Sequence, residues 1–188
     1  MRFIACSIIV LFFLQSRTPL TTAHYPFPVT DSLFDICTVI PASDMQQLSP
    51  FGTVVKNITT DDRLDGYAGC HYDFEWKADF PQCYVTINQL NSPAECKGSF
   101  SFNRQSWVDV YMRSPDYVND LADSAAWFGN ADRGKCSDCG LQVVSGRFLI
   151  RIAFQGVYDD IGEDAKKYSA VNIVKKLFEK KPFLNSRR

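Results

Sequence analysis

The clearest polar and apolar pattern in the chain is the strict alternation over residues 70–76, CHYDFEW. Successive side chains of a β-strand point to opposite faces, so this alternation predicts a strand with one buried and one wet face. The apolar positions are Cys70, Tyr72, Phe74 and Trp76, and the polar ones are His71, Asp73 and Glu75. Residues 83–90 alternate in the same way, and residues 77–82 predict a hairpin connection between the two strands.

A second strand pair is predicted over residues 141–154, with a turn at Ser145-Gly146. Its buried face would carry Phe148, Ile150, Ile152 and Phe154. Residues 51–58 are rich in strand-forming types, and the polar run at 59–66 predicts a surface loop.

Helical spacing of apolar residues marks three further segments. Residues 41–48 combine a proline start with a Pro50 stop. Residues 103–115 place Trp107, Val110 and Tyr111 at helical spacing, with Asn103 able to act as the N-cap and Pro115 ending the helix. The last segment, residues 161–180, predicts an amphipathic helix. Its apolar stripe would comprise Ile161, Ala165, Tyr168, Val171, Val174 and Phe178.

Strands grouped between flanking helices, without regular βαβ alternation, predict an α+β fold. The expected architecture is an antiparallel sheet with helices packed on one face, including the C-terminal amphipathic helix, stapled by disulfides. Residues 33–182 would form this single domain. They would follow an extended segment at 24–32 and precede a basic tail at 183–188.

The first 23 residues predict a secretory signal peptide. Arg2 precedes an apolar run at 8–14, and Thr21 and Ala23 supply the small residues expected before a cleavage site. No later run reaches the roughly 18 apolar residues of a membrane span, so no transmembrane segment is expected. The predicted location is therefore outside the cytoplasm, secreted or periplasmic.

Seven cysteines change this picture, because exported thiols oxidise. Cys6 leaves with the leader, and the other six predict three disulfides out of about fifteen formal pairings. The expected pairs are Cys37 with Cys70, Cys83 with Cys96, and Cys136 with Cys139. The Cys136-x-x-Cys139 spacing also suits a redox or zinc pair, but export favours a disulfide. Asn57 begins a glycosylation sequon that matters if the host is a eukaryote.

The charge balance excludes nucleic acid as the expected partner. Arg2 and Arg17 leave with the leader, so the 20 basic residues fall by two against 21 acidic ones, and the net charge moves from −1 to about −3. Phosphate binding needs a positive surplus on one face. The expected partner is instead a protein or a small ligand.

One metal site is an open alternative. If cleavage left His24 as the first residue, its amine and ring nitrogen, together with His71, would supply three nitrogens suited to copper. This is the histidine brace of polysaccharide-oxidising monooxygenases, and it would make the protein a copper oxidase. The alternative interpretation is a terminal histidine and a solvated strand histidine without a metal. No catalytic residue is otherwise assigned.

The polar face of the predicted sheet is the leading candidate for binding. It would carry His71, Asp73, Glu75, Tyr84, Thr86, Asn88 and Arg151, with Arg147 at its margin. These side chains would form a polar, aromatic-edged ligand surface. The predicted function is a secreted or periplasmic, non-enzymatic binding domain, a class that includes inhibitor and immunity proteins.

The order of several features resembles a known family. Asp35-x-Cys37 leads into a short helix with Leu48, Gly69-Cys70 precedes aromatic residues, and "VNDLADSAAWFG" precedes the last hairpin and helix. Over residues 33–178 this order is similar to small exported bacterial lipoproteins, best known in actinobacteria, whose function is not established. The resemblance implies an α+β module outside the cytoplasm and no catalytic residues. The chain departs from it in lacking a lipobox cysteine and in having residues 120–123 in place of a glycine-rich turn.

Overall fold

The computed structural model describes residues 33–60, 66–75, 81–129, 138–156 and 161–186. The predicted leader, the extended segment at 24–32 with His24, and also Trp76 and Cys136 lie outside these residues. The described elements form an α+β domain, which confirms the predicted fold class. In chain order they are α1 (Ile36–Val39), α2 (Ala42–Leu48), β1 (Val54–Thr59), β2 (Tyr67–Phe74), β3 (Gln82–Gln89), α3 (Pro93–Tyr111), β4 (Asp116–Tyr117), β5 (Ser124–Phe128), β6 (Asp138–Ser145), β7 (Phe148–Gln155), α4 (Glu163–Lys180) and a 3-10 turn (Pro182–Leu184).

The seven strands form one sheet in the order β1-β2-β3-β7-β6-β5-β4. Every neighbouring pair is antiparallel. The central pairing joins β3 to β7, with Ile87 opposite Ile150. The last strand therefore lies between the first three strands and the three that precede it in the chain.

One face of the sheet carries the main core. The predicted apolar positions of β2, β3 and β7 are buried there against α1, α2 and α4. Tyr72 is fully buried, and its hydroxyl donates a 2.6 Å hydrogen bond to the carbonyl of Ile40 at the end of α1. This bond satisfies the polar end of an otherwise apolar side chain.

The buried stripe of α4 differs from the predicted one. Ala165 and Tyr168 are exposed, the latter by 71%, whereas Lys166 and Ser169 are buried beside Ala170. The Ser169 hydroxyl donates to the carbonyl of Leu48 in α2, which explains how a polar residue is accommodated at this contact. The buried face of α4 is therefore turned about the helix axis relative to the predicted one. The helix packs on two elements, the sheet and α2, instead of on the sheet alone.

Helix α3 lies on the opposite face of the sheet, so the helices are not all on one side. Its Cys96 and Phe100 form a second, smaller core with Phe128 and Val144. Asn103 is not its N-cap, since the helix begins ten residues earlier: Ser92 Oγ accepts from the Glu95 N–H at 3.1 Å. Glu95 in turn accepts from the Asn91 N–H, which resembles a capping box.

The cysteines follow the predicted pairing only in part. Cys37 and Cys70 form the predicted disulfide. The predicted Cys83–Cys96 bond is wrong: both thiols are free and buried. Cys83 faces the main core and Cys96 the second core, so the thickness of the sheet separates them. Cys139 is disulfide-bonded. Its predicted pairing with Cys136 stays a prediction, since Cys136 lies outside the described residues.

Within the described ranges, no helix combines the length and apolar content that crossing a bilayer requires. Asn57 lies on β1, which is the edge strand of the sheet, and is exposed.

Candidate functional site

The outer face of the sheet, opposite the main core, divides into two halves. Helix α3 covers part of β5, β6 and β7 through the second core. The half formed by β1, β2 and β3 carries the polar residues that the sequence singled out. Antiparallel partners share a face, so the register places His71 beside Tyr84, and Thr86 beside Arg151.

A polar cluster joins four side chains of β2 and β3. His71 stacks on Tyr84 with ring centroids 4.4 Å apart, and its Nε2 lies 2.8 Å from Asp73 Oδ1. The Gln82 amide donates to Asp73 Oδ1 at 3.1 Å, and the Tyr84 hydroxyl donates to Gln82 Oε1 at 2.8 Å. Burial, together with the charge of Asp73, raises the pKa of Tyr84. These predicted site residues do meet, but they bond mainly to one another.

The other predicted residues lie outside this polar cluster. Glu75 follows the end of β2, where its N–H donates to the Thr53 carbonyl, and its side chain is exposed. Arg151 lies on β7, two residues before Ala153, which is the residue paired with Tyr84. Its own partners are Thr86 on β3 and Gln142 on β6. The predicted surface is therefore two sites rather than one, and Arg151 belongs to the second.

The second site is a groove between α3 and the sheet, with a volume of about 400 Å³. We call it the α3 groove. One side of the helix and the floor of strands β5 to β7 form it. The described lining residues are Phe102, Asn103, Ser106, Trp107, Val110, Tyr111, Phe128, Cys139, Gly140, Gln142 and Arg151.

The helical wall of the α3 groove is apolar and largely uncovered. Phe102 is 71% exposed, Val110 70% and Tyr111 42%. Trp107 is held between Tyr111 and Phe128, with ring centroids 4.0 and 5.6 Å away. Apolar side chains of this size normally leave water, so the wall offers a surface that a ligand can cover.

The polar groups of the α3 groove are almost all donors or already paired. Gln142 Oε1 accepts from the Asn103 amide at 3.1 Å. Arg151 is exposed and is the single charged residue among the described lining residues. The indole N–H of Trp107 is shielded from solvent and has no acceptor among the described residues. Arg151 is therefore the donor that an electronegative ligand atom can reach directly, and the Trp107 N–H is a second, covered donor without an acceptor among the described residues.

The sequence identified part of this site and missed the rest. Trp107, Val110 and Tyr111 were expected to form the buried side of a short helix, but only Trp107 reaches the second core. One signal was available: α3 carries apolar residues on two of its sides, with Phe100 and Trp107 on one and Phe102 and Val110 on another. A helix with more apolar side chains than its core contact can cover leaves apolar surface exposed.

The structure bears on the copper alternative only through His71. His24 lies outside the described residues, so the distance between the two histidines is not defined. Among the described residues, no group of three or more His, Cys, Asp and Glu side chains is placed to hold a metal ion. A histidine that binds a metal through one ring nitrogen commonly holds a carboxylate with the other. His71 has such a carboxylate partner in Asp73, so this contact is compatible with a role as a metal ligand. The copper site stays a prediction.

Comparison of the chain with protein-family models, with curated proteins and with solved structures finds no match in any of the three. The assignment of function therefore depends on the geometry of the chain itself.

Proposed function

We propose that this protein is an exported, non-enzymatic binding domain whose ligand lies in the α3 groove. One observation carries the proposal: a groove of about 400 Å³ has a wall of exposed apolar side chains on a helix otherwise anchored to the sheet. Ligand sites are concave and mostly apolar, of roughly 300 to 1,000 Å³, with a few polar groups that fix orientation.

The rigidity of the α3 groove supports a binding role. Phe100 and Trp107 fix α3 against Phe128 through edge-to-face contacts at 6.4 and 5.6 Å. The floor consists of paired strands, so ligand binding would not have to order a loop among the described residues. A preformed site of this kind loses little conformational entropy on binding.

The chemistry of the α3 groove supports recognition without catalysis. The lining sulfur belongs to Cys139, which is disulfide-bonded and offers no thiolate. The remaining described polar groups are two hydroxyls, two side-chain amides, one indole N–H and one guanidinium, and the rest of the lining is apolar. An acid-base pair needs two titratable groups tuned for proton transfer, and Arg151 remains charged at working pH.

Export is the second part of the proposal. The Cys37–Cys70 bond supports it, because disulfides persist in oxidising compartments. The signal peptide predicted over residues 1–23 and the resemblance to exported lipoproteins support the same location. An inhibitor or immunity protein stays within the proposed class, with a partner's side chain as the occupant of the α3 groove.

The test is a fragment screen by ¹H–¹⁵N NMR on the oxidised mature protein, with two variants of α3. Ser106 lines the α3 groove, so Ser106→Trp fills it; Ser101 is exposed and is not a lining residue, so Ser101→Trp is the matched control. We expect hits that shift amides of α3 and β6–β7, that disappear with Ser106→Trp and that persist with Ser101→Trp. Hits confined to other surfaces, or insensitive to Ser106→Trp, would overturn the proposal.

A further inference from the structure

We infer that the ligand of the α3 groove is an apolar or aromatic carboxylate, held by Arg151 at its charged end and by the α3 wall along its body. This inference rests on the proposed function, and it names the ligand's chemical class. It follows from three features of the groove that point to one kind of molecule.

The first feature is the position of Arg151. It lies on β7 between Thr86 and Gln142, on the outer face, and its guanidinium is exposed. No described residue forms an ion pair with it, and none of the described lining residues is acidic. A planar guanidinium matches a carboxylate with two parallel hydrogen bonds, so the groove has an unused anion anchor.

The second feature is the indole N–H of Trp107. Indole nitrogen is a donor only, so it can be satisfied only by an acceptor. It is shielded from bulk water, and no described atom accepts from it. A carboxylate held by Arg151 brings acceptor oxygens to the groove, and a side-chain movement on binding would let one of them accept from this N–H. An ammonium or guanidinium ligand would add only donors.

The third feature is the apolar wall beyond these donors. Phe102 and Val110 are 71% and 70% exposed, and Tyr111, which is 42% exposed, lies against Trp107 at the same groove. A wholly polar anion such as inorganic phosphate would leave this surface in water. A ligand with an apolar body attached to its charged group would remove this surface from water, which is favourable for binding.

The experiment uses two probes of nearly equal shape, 1-naphthaleneacetate and its neutral amide 1-naphthaleneacetamide. Each is titrated into the oxidised mature protein at pH 7 and followed by calorimetry and by ¹H–¹⁵N NMR. We expect the acid to bind at least about tenfold more tightly than the amide, a difference of about 1.4 kcal/mol. The Trp107 indole resonance, assigned with Trp107→Phe, should shift downfield on addition of the acid.

Two arginine variants test the anchor. Arg151→Met should bring the acid down to the affinity of the amide while the affinity of the amide stays the same. Arg147→Met is the matched control, because Arg147 is exposed at the β6–β7 turn and is not a lining residue. It should leave the preference for the acid unchanged.

The outcomes separate this inference from the proposed function. Equal affinities of acid and amide, both sensitive to Ser106→Trp, would leave the α3 groove as the binding site and overturn the carboxylate. A preference for the acid that survives Arg151→Met would also overturn it. Failure of both probes overturns the carboxylate, and the proposed function fails as well only if the fragment screen gives no hit in the α3 groove that Ser106→Trp abolishes.

Discussion

The indole N–H of Trp127 donates to Glu163 Oε1 across 2.8 Å and so joins β5 to the first turn of α4. Trp127 is fully buried, and the Glu163 side chain is 13% exposed. Arg113 Nη1 lies 3.9 Å from the other oxygen of this carboxylate. Gly129 approaches the same carboxylate so closely that an added Cβ would collide with it. A polar contact thus fixes the helix that closes the main core.

We expect Trp127→Phe to lower the free energy of unfolding by about 2 to 3 kcal/mol. It removes ring volume from the core and leaves the Glu163 carboxylate without its donor. Trp107→Phe makes the same chemical change at a residue whose N–H has no described acceptor. It should therefore lower the free energy of unfolding by about half as much or less. Urea unfolding measures both; equal losses would show that the bond to Glu163 contributes nothing.

A second prediction concerns the Tyr72 hydroxyl. Tyr72→Phe leaves the Ile40 carbonyl buried without its donor, and we expect a loss of about 1 to 2 kcal/mol in unfolding free energy. The control is Tyr84→Phe, whose hydroxyl bonds to Gln82 on the half-buried outer face. It should cost less than about 0.5 kcal/mol, because water can replace that bond. A larger loss for Tyr84 than for Tyr72 would contradict this assignment.

Thiol titration tests the correction to the disulfide scheme. Burial raises the pKa of Cys83, and it raises the pKa of Cys96 to about 11. The reactive thiolate is therefore scarce at neutral pH, and we expect no reaction of the native oxidised protein with Ellman's reagent at pH 7. Unfolding in guanidinium should release both thiols, and alkylation with mass spectrometry should map them to these positions. Recovery of a Cys83–Cys96 peptide would restore the original pairing.

Asp35 gives stability a dependence on acid. Burial raises the pKa of this carboxyl, but hydrogen bonds from Thr38, Thr59 and the backbone N–H groups of Cys37 and Thr38 outweigh that effect, so its pKa lies below the ordinary value. Because the pKa of Asp35 is lower in the folded state, its ionised carboxylate stabilises the fold at pH values above the unfolded pKa of about 3.9. This stabilisation is lost as the pH falls through the folded pKa.

Replacement of Asp35 should therefore make the unfolding free energy depend less on pH in the acid range. We expect Asp35→Asn to reduce the difference in unfolding free energy between pH 6 and pH 2.5 by less than about 1 kcal/mol, since the residue is exposed. Thr59→Val removes one of the donors, which lies at 3.0 Å, and should give part of the effect. Urea unfolding across this range measures it, and an unchanged slope in Asp35→Asn would refute the assignment.

Copper titration separates the two function classes. Sequencing the mature protein first establishes whether it begins at His24. Because the proposed function is a binding domain without a metal, we then expect His71→Ala to leave the affinity for Cu²⁺ unchanged. A loss of about tenfold or more, about 1.4 kcal/mol, would instead support the copper oxidase.

The sequence predicted the parts of the fold that local pattern controls. The alternation at Cys70, Tyr72 and Phe74 correctly identified β2 and its buried face, because a period of two admits one interpretation. The start of α3 was missed, although Ser92 and Glu95 carry the capping signal, since the apolar spacing before Asn103 is weak. Strand β5 was missed because its run of buried residues, from Ala125 to Phe128, does not alternate.

The candidate site depended on relationships that no local pattern contains. Arg151 was identified from strand alternation, but its role depends on α3 crossing the outer face nearby. Which face a helix covers is decided by long-range packing, and so is the separation of Cys83 from Cys96. The polar cluster around His71 was predictable because its members lie on two consecutive strands joined by a hairpin.

The position of β7 beside β3 has a consequence for biogenesis. During synthesis β1, β2 and β3 are made before β7, so the backbone donors and acceptors along one edge of β3 stay unpaired until β7 has left the ribosome. Late closure of this kind slows folding and exposes the nascent chain to strand-mediated self-association. A holding chaperone acting on the unfinished polypeptide would protect that edge until β7 arrives to fill the gap.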